Sequence, residues 1–235
     1  MLDALVTEVP LNGGRTTSGV VRIGETVHRP RCNNAAFVHK LLSALAKKQF
    51  PHSPKYLGVD AEGREVLSYI EGTVPPDLGE FSLAQIKRAG SILASLHRVT
   101  GHLDDLKGDE EVICHGDASP CNYVFRSEMP VALIDFDAAF PGPKALDFGY
   151  GSWLWSNLGS PEQNVAAVSS KLRAYMAGYG EPVELCLEAI PQAQDWLLGK
   201  LNSDRPKWMD AAVEWTHSCQ RWFQLNEGEL WRRLT

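Results

Sequence analysis

The sequence predicts an α+β fold of two lobes: a small β-rich N-terminal lobe with one inserted helix, and a larger, mainly helical C-terminal lobe. Three features of the chain carry this. Up to about residue 70 the text is strand-like between glycine-marked turns. Composition then changes abruptly at Glu71-Gly72-Thr73-Val74-Pro75-Pro76, where a glycine and paired prolines make a natural link. Beyond it, apolar residues recur mainly at helical spacing. The expected boundaries are an N-terminal lobe over residues 1–70, a linker over 71–76 and a C-terminal lobe over 77–235.

Taken in order, residues 5–10, 19–24 and 25–29 read as strands. Phe37, Val38, Leu41, Leu42 and Leu45 then define one amphipathic helix over 35–49, and residues 65–70 close the lobe as another strand. Ser82 followed by Gln85 is a capping-box signature, opening a helix with Leu83, Ile86, Ala89, Leu93 and Leu96 on one face. Short strands are expected around 112–114, 123–125 and 131–134, and three or four tryptophan-rich helices from Ala145 onward. Trp215 and Trp222 share a helical face with Ala211 and Cys219, which reads as core. The sharper alternative, an aromatic cage for a quaternary ammonium group, needs ring faces converging on one point.

The chain has 235 residues, 44% of them hydrophobic and 22% charged, which is a globular composition able to bury a core. With 29 acidic and 23 basic residues the net charge is −6, so no broad positive field exists to hold nucleic acid or an anionic membrane. Small neutral or cationic partners fit better. The N-terminus lacks the basic flank and apolar run of a signal peptide, and no apolar run approaches membrane-spanning length, so a cytoplasmic location is expected. Cys32, Cys114, Cys121, Cys186 and Cys219 are odd in number and scattered, which predicts reduced, mostly buried thiols. Cys114 and Cys121 flank His115 and Asp117, but nothing nearby reads as the base and orienter that a thiol nucleophile requires.

The most informative stretch runs from Val112 through His115-Gly116-Asp117 to Asn122, followed by Ile134-Asp135-Phe136-Asp137. Each half is a strand ending in a polar cluster. Phosphoryl transfer needs a carboxylate to orient the attacking hydroxyl and oxygen ligands for a metal ion on the nucleotide phosphates. Asp117, Asn122 and Asp135 supply that set: the first two at opposite ends of a tight loop, the third returning on an adjacent hairpin. An aspartate five residues before an asparagine, with a second aspartate after the next strand, is the protein-kinase pattern. Here glycine, Gly116, takes the place of that pattern's arginine. The signature H-G-D-x-x-x-x-N followed by I-D-[FW]-[DE] resembles the small-molecule kinases, namely aminoglycoside phosphotransferases, choline kinases and related enzymes. Leu96-His97 before the loop and Gly142 to Asp147 after it look like further landmarks of that family.

The resemblance implies a protein-kinase-like fold, ATP as donor, Mg²⁺ as cofactor and a small-molecule alcohol as acceptor. It makes Asp117 the catalytic carboxylate and Asn122 and Asp135 the metal ligands, with Asp137 a further candidate for metal or substrate. It reads His115 as holding the loop backbone rather than as a general base, and Asp147 as a brace beneath that loop. The plainer reading of Asp147 is a charge favoured at a helix N-terminus. The turn Asn12 to Gly19 would cover the phosphates, with Thr16, Thr17 and Ser18 donating hydrogen bonds, although such turns mostly just reverse the chain. Arg29 stands where kinases carry a phosphate-binding lysine; strand alternation puts Val27 beside it, facing adenine, and turns His28 away. The alternative is an ordinary exposed arginine before Pro30. Adenine recognition falls to the backbone from Ser68 to Ile70.

One departure stands out, because the helix that should offer a glutamate to the phosphate-binding cation has no acid between residues 35 and 49. Either other groups hold Arg29, or the nucleotide lobe is remodelled or partly inactive. Two competing functions follow: a non-catalytic nucleotide-binding module of the same fold, and a metal-dependent hydrolase with His115, Asp117, Asp135 and Asp137 as direct ligands. Retention of Asp117, Asn122 and Asp135 together favours an active kinase. The acceptor stays open between an antibiotic and a smaller metabolite alcohol, as does ATP against GTP. Glu214, Glu227 and Glu229 read either as solvated helix residues or as the acidic lining of a cationic substrate's cleft.

Overall fold

The computed structural model describes residues 7–11, 19–160, 163–201 and 209–235. A five-stranded antiparallel sheet forms the first layer, with β1 (Val9–Pro10), β2 (Val21–Ile23), β3 (Thr26–Arg29), β5 (Glu65–Ser68) and β4 (Tyr56–Val59) side by side in that order. In the β3–β5 register Val27 faces Leu67 and Arg29 faces Glu65. Helix α1 (Ala35–Lys47) is inserted between β3 and β4 and buries Val38, Leu41, Leu42 and Leu45, the stripe expected from its spacing. It ends in a Schellman-type turn on Gln49, which adopts a positive φ of 57°. The Phe50 N–H returns to the Leu45 carbonyl at 2.9 Å, and the Phe50 ring closes the turn from the core side. Strand β4 was not among the expected strands: Gly58 and a register shift between Tyr56 and Gly58 break the alternation that marks a strand in sequence.

The second layer is helical. Helix α2 (Leu83–Thr100) carries both hydrogen bonds of the predicted capping box, and its Ile86, Ala89, Leu93 and Leu96 are buried. Leu83, placed on the same face by its spacing, is half exposed because it occupies the first helical turn, short of the core. After the short helix α3 (Asp104–Lys107) come β6 (Val112–Cys114), the hairpin β7 (Tyr123–Arg126) and β8 (Met129–Leu133), and β9 (Phe140–Gly142), which pairs with β6. Among the described residues four helices follow: α4 (Lys144–Ser156), α5 (Val165–Tyr179), α6 (Val183–Leu201) and α7 (Asp210–Leu234). Trp153, Trp155, Tyr175 and Phe148 are fully buried among them. Trp215 stacks on Trp153 at 4.9 Å and Trp222 packs against the same core, which supports the core reading of the tryptophan stripe; Ala211 is exposed.

Two backbone staples tie the sheet layer to the β7–β8 hairpin. Thr73 and Phe125 exchange hydrogen bonds in both directions, at 2.9 and 2.7 Å, and the Leu133 N–H donates to the His52 carbonyl at 2.8 Å. The His52 ring adds a bond from Nδ1 to the Val131 carbonyl at 2.7 Å. Gly72 makes the first staple possible. Its φ is +149°, and a Cβ there would lie 2.3 Å from the Phe125 carbonyl oxygen. Gly72→Ala is therefore expected to cost about 1–3 kcal/mol, through backbone strain and displacement of the Thr73–Phe125 bridge. Thermal denaturation checks this, with an unchanged midpoint as the contrary result.

Candidate active site

The loop after β6 is fixed from below by one buried carboxylate. Asp147, in the first turn of α4, accepts from the His115 N–H at 2.5 Å and the Gly116 N–H at 2.9 Å. His97 Nε2 donates to it at 3.0 Å, while His97 Nδ1 meets the Tyr179 hydroxyl at 2.5 Å. Burial alone would raise the Asp147 pKa, but the bonds from His97 and the loop outweigh it and hold the group below the ordinary aspartate value. Gly116 has a φ of +78°, and a Cβ there would meet the Ala138 carbonyl oxygen at 2.3 Å. This loop accordingly has no room for the arginine of the protein-kinase pattern.

His115 is buried with both ring nitrogens engaged. Nε2 donates to the Ile134 carbonyl at 3.0 Å, Nδ1 accepts the Asp117 N–H at 3.3 Å, and the ring packs against Phe136. A ring so placed orders the loop; it has no nitrogen left for a proton shuttle or a metal.

The three chemical residues of the signature come together. Asn122 closes the 3-10 turn Pro120–Asn122; its Nδ2 donates to the Asp117 carbonyl at 2.9 Å, and its own carbonyl accepts the Ile134 N–H at 2.9 Å. Asp135 follows β8 in the left-handed region, φ 63° and ψ 63°, with its carboxylate partly open to solvent. Asp137 lies in the next turn. Burial, together with the neighbouring Asp135 charge, pushes the Asp137 pKa up despite the nearby Arg29. Tyr150 of α4, which sequence reasoning missed, donates its hydroxyl to Asp117 Oδ1 at 3.1 Å. Burial and the Asp117 charge hold the Tyr150 pKa well above the ordinary tyrosine value, so this hydroxyl keeps its proton.

Arg29 joins the two layers. Its Nε donates to Glu65 Oε1 at 2.5 Å, Nη1 to Asp135 Oδ1 at 3.1 Å, and Nη2 forms a short bond with Asp137 Oδ1. Burial works against its charge, but the carboxylates of Asp137, Glu65 and Asp135 prevail and raise its pKa. The exposed-arginine alternative is thereby set aside, since Arg29 is buried. The acid absent from helix α1 is supplied by Glu65 on the neighbouring strand, fully buried, with its second oxygen accepting from His39 Nε2 of α1 at 2.7 Å. The only signal for it in the sequence was cross-strand register, which no residue spacing reveals. His28, as strand alternation requires, turns away to Asp60.

A cleft of about 460 Å³ opens between the layers. Leu11, Val20, Val27 and Leu67 line it from the sheet, and Val124 and Ile134 from the hairpin below. Ser68 and Ile70 lie along its edge; Arg29, Asn122 and Asp135 also line it. The turn residues Thr16, Thr17 and Ser18 fall outside the described residues. Glu214 and Glu227 are exposed on α7, and Glu229 pairs with Arg233 at 2.7 Å on the same helix. Cys114 is buried and its thiol pKa raised by that burial, which leaves no nucleophile there.

A model of the phosphotransferase enzyme family matches residues 99–184. The trifolitoxin immunity protein of Rhizobium leguminosarum bv. trifolii is 32% identical over 191 residues, covering 72% of this chain and 72% of its own. Among solved structures, the GDP complex of an aminoglycoside 2′-phosphotransferase-IIIa aligns with a TM-score of 0.59 at 16% identity, over 93% of this chain and 94% of that one. A choline/ethanolamine kinase family protein from Mesorhizobium loti aligns with a TM-score of 0.56 at 19% identity, over 97% and 91%. At these identities the structural likeness is one of fold, the protein-kinase-like arrangement of a small β lobe over a helical lobe.

Asp147→Ala would leave the His115 and Gly116 N–H groups buried without an acceptor. At about 1–3 kcal/mol for each such group, a loss of roughly 3 kcal/mol is expected in urea denaturation at neutral pH. A carboxylate whose folded pKa is depressed contributes stability above its unfolded pKa of about 4 and loses it as pH falls through the folded value. The gap between native chain and variant should therefore narrow in acid, and a gap independent of pH would contradict the ionised brace.

Proposed function

The chain belongs to the phosphotransferase enzyme family, a family of small-molecule kinases, and we propose that it moves the terminal phosphate of ATP, in a magnesium-dependent reaction, to a hydroxyl of a small molecule. The observation that carries this is the convergence of Arg29, Asn122 and Asp135 on one apolar cleft, with Asp117 tied to Asn122 by a hydrogen bond. Adenine fits between Val20 and Val27 above and Val124 and Ile134 below. The Ser68 and Tyr69 N–H groups are already bonded to the Lys55 and Glu25 carbonyls, so the edge of the base falls to the Ile70 backbone. The phosphates then run toward Arg29.

Three carboxylates, Glu65, Asp135 and Asp137, surround the one guanidinium of Arg29, leaving an excess of two negative charges. A polyphosphate anion entering that field needs a divalent cation. The donor set is all oxygen, which suits Mg²⁺: the amide oxygen of Asn122, whose Nδ2 is held by Asp117, and the open carboxylate of Asp135, with Asp137 beside it. When bound, the ion would neutralise the phosphate oxygens as charge moves to the leaving group. Tyr150 occupies one oxygen of Asp117 and leaves the other to orient the acceptor hydroxyl. The acceptor oxygen bonds to the γ-phosphorus, the bond to the β–γ bridging oxygen breaks, ADP departs, and Asp117 takes the hydroxyl proton.

The competing readings fare worse. The hydrolase required His115 as a ligand, and both its nitrogens are engaged. The non-catalytic module drew its force from a missing acid, and Glu65 supplies one. A second reading of the biology rests on the relative named as a trifolitoxin immunity protein: the acceptor hydroxyl would sit on a toxin that phosphorylation inactivates. Among the described residues no helix is long and apolar enough to cross a membrane. All five cysteines are free thiols, which fits the cytoplasm proposed as its location.

Magnesium-dependent ADP release should rise with one member of a panel of aminoglycosides, choline, homoserine and sugars. Asp117→Asn should lower that turnover by about 10²–10⁴-fold, the usual contribution of a positioned general base. Acceptor-dependent turnover that survives the substitution would remove Asp117 from the mechanism. For the second reading, the native chain should protect a toxin-sensitive strain and Asp117→Asn should not; equal protection by both would point to toxin binding alone.

A further inference from the structure

We propose that His39 is a positioning residue for nucleotide phosphates, acting through Glu65 on Arg29 as the contribution of helix α1 to the site. The inference rests on the kinase reading of the cleft and extends it to a residue that neither the signature nor the spacing of the chain indicates.

In the kinase arrangement a strand-borne cation is paired with a glutamate on the inserted helix, and the position of that helix decides whether the cation is aligned. Helix α1 carries no acid. Glu65 faces Arg29 across the β3–β5 ladder and takes its Nε, so the carboxylate belongs to the same rigid sheet as the cation. Left there, the helix would have no part in orienting Arg29. The link is restored by His39, whose Nε2 lies 2.7 Å from the other Glu65 oxygen. A carboxylate only accepts, so the histidine must donate from Nε2. Its ring plane is set by stacking on Tyr56 of β4, with centroids 3.9 Å apart and planes 13° from parallel.

The consequence is directional. A carboxylate held at one oxygen can pivot, whereas one held at both cannot. Glu65 is fully buried, with one oxygen on Arg29 and the other on His39. Arg29 is thus held by its Nε edge, and its Nη1 and Nη2 groups face Asp135 and Asp137 at the phosphate end of the cleft. The same helix reaches the metal-binding segment from its other end, where the N-cap residue Asn34 donates from Nδ2 to the Ala139 carbonyl at 2.9 Å. Helix α1 therefore contacts both elements that must meet the nucleotide: the cation through His39 and Glu65, and the acidic turn through Asn34.

Two substitutions separate donation from packing. His39→Phe keeps a ring against Tyr56 and removes the donor; His39→Gln removes the ring and keeps an N–H near the Nε2 position. His39→Phe should raise the KM for Mg-ATP by about tenfold, the scale seen when an outer hydrogen-bond partner of a site is lost, and leave the KM for the acceptor unchanged. His39→Gln should recover most of the loss. Equal KM values for native chain and His39→Phe, or a His39→Gln variant no better than His39→Phe, would overturn the proposal. The Arg29 Nε–H resonance gives a readout independent of turnover: slow exchange in the native chain should be lost in His39→Phe and regained in His39→Gln. An unchanged resonance in His39→Phe would overturn it as well. If the resonance responds while the native chain binds no nucleotide, the link between His39 and Arg29 stands and the kinase reading of the cleft is what fails.

Discussion

The buried guanidinium of Arg29 is the interaction on which the rest of this structure depends. An arginine taken out of water at the meeting of two layers is unfavourable unless its charge and its donors are matched. Glu65 matches it from the sheet, and Asp135 and Asp137 from the turn after β8. The fork geometry divides the work: the Nε edge fixes Arg29 within its own sheet, and the terminal nitrogens reach across to the hairpin. One side chain therefore holds the lobes in register where a nucleotide's phosphates would lie. It also restrains the mutual repulsion of the two neighbouring aspartates.

A second buried carboxylate does the corresponding work beneath the His115–Asn122 loop. Asp147 gathers two backbone N–H groups and His97, and His115 then carries the constraint from the loop to the Ile134 carbonyl just before Asp135. The loop and the acidic turn are thus coupled through the histidine ring, with Asn122 adding a second tie through the Ile134 N–H. Asp117, Asn122 and Asp135 hold their relative positions through these saturated neighbours together with the one direct bond among them, from Asn122 Nδ2 to the Asp117 carbonyl. Rigid placement of this kind is what phosphoryl transfer requires, since its catalysis is mostly positioning and charge stabilisation.

Much of this was legible in the chain. The capping box at Ser82, the apolar stripe of α1 and the paired signature around Asp117 and Asp135 are local features, and local chemistry encodes them. What escaped was non-local. Glu65 and Arg29 are neighbours only through strand register, and the helix without an acid drew attention to an absence rather than to the strand that fills it. His39 reads as one polar residue on an amphipathic helix until Tyr56 and Glu65 surround it. Tyr150 is hidden for a different reason. It sits in a buried helical run where aromatic residues are ordinarily core, and its hydroxyl becomes chemical only when α4 is laid against the loop.

Whether the strand-borne Glu65 holds Arg29 for nucleotide phosphates is tested most directly by calorimetric titration of Mg-ATP into the native chain and Glu65→Gln. The native chain should bind Mg-ATP saturably, and the variant should bind about tenfold or more weakly, as expected when a buried charge pair loses one partner. Equal affinities, or no binding of Mg-ATP to the native chain, would contradict it.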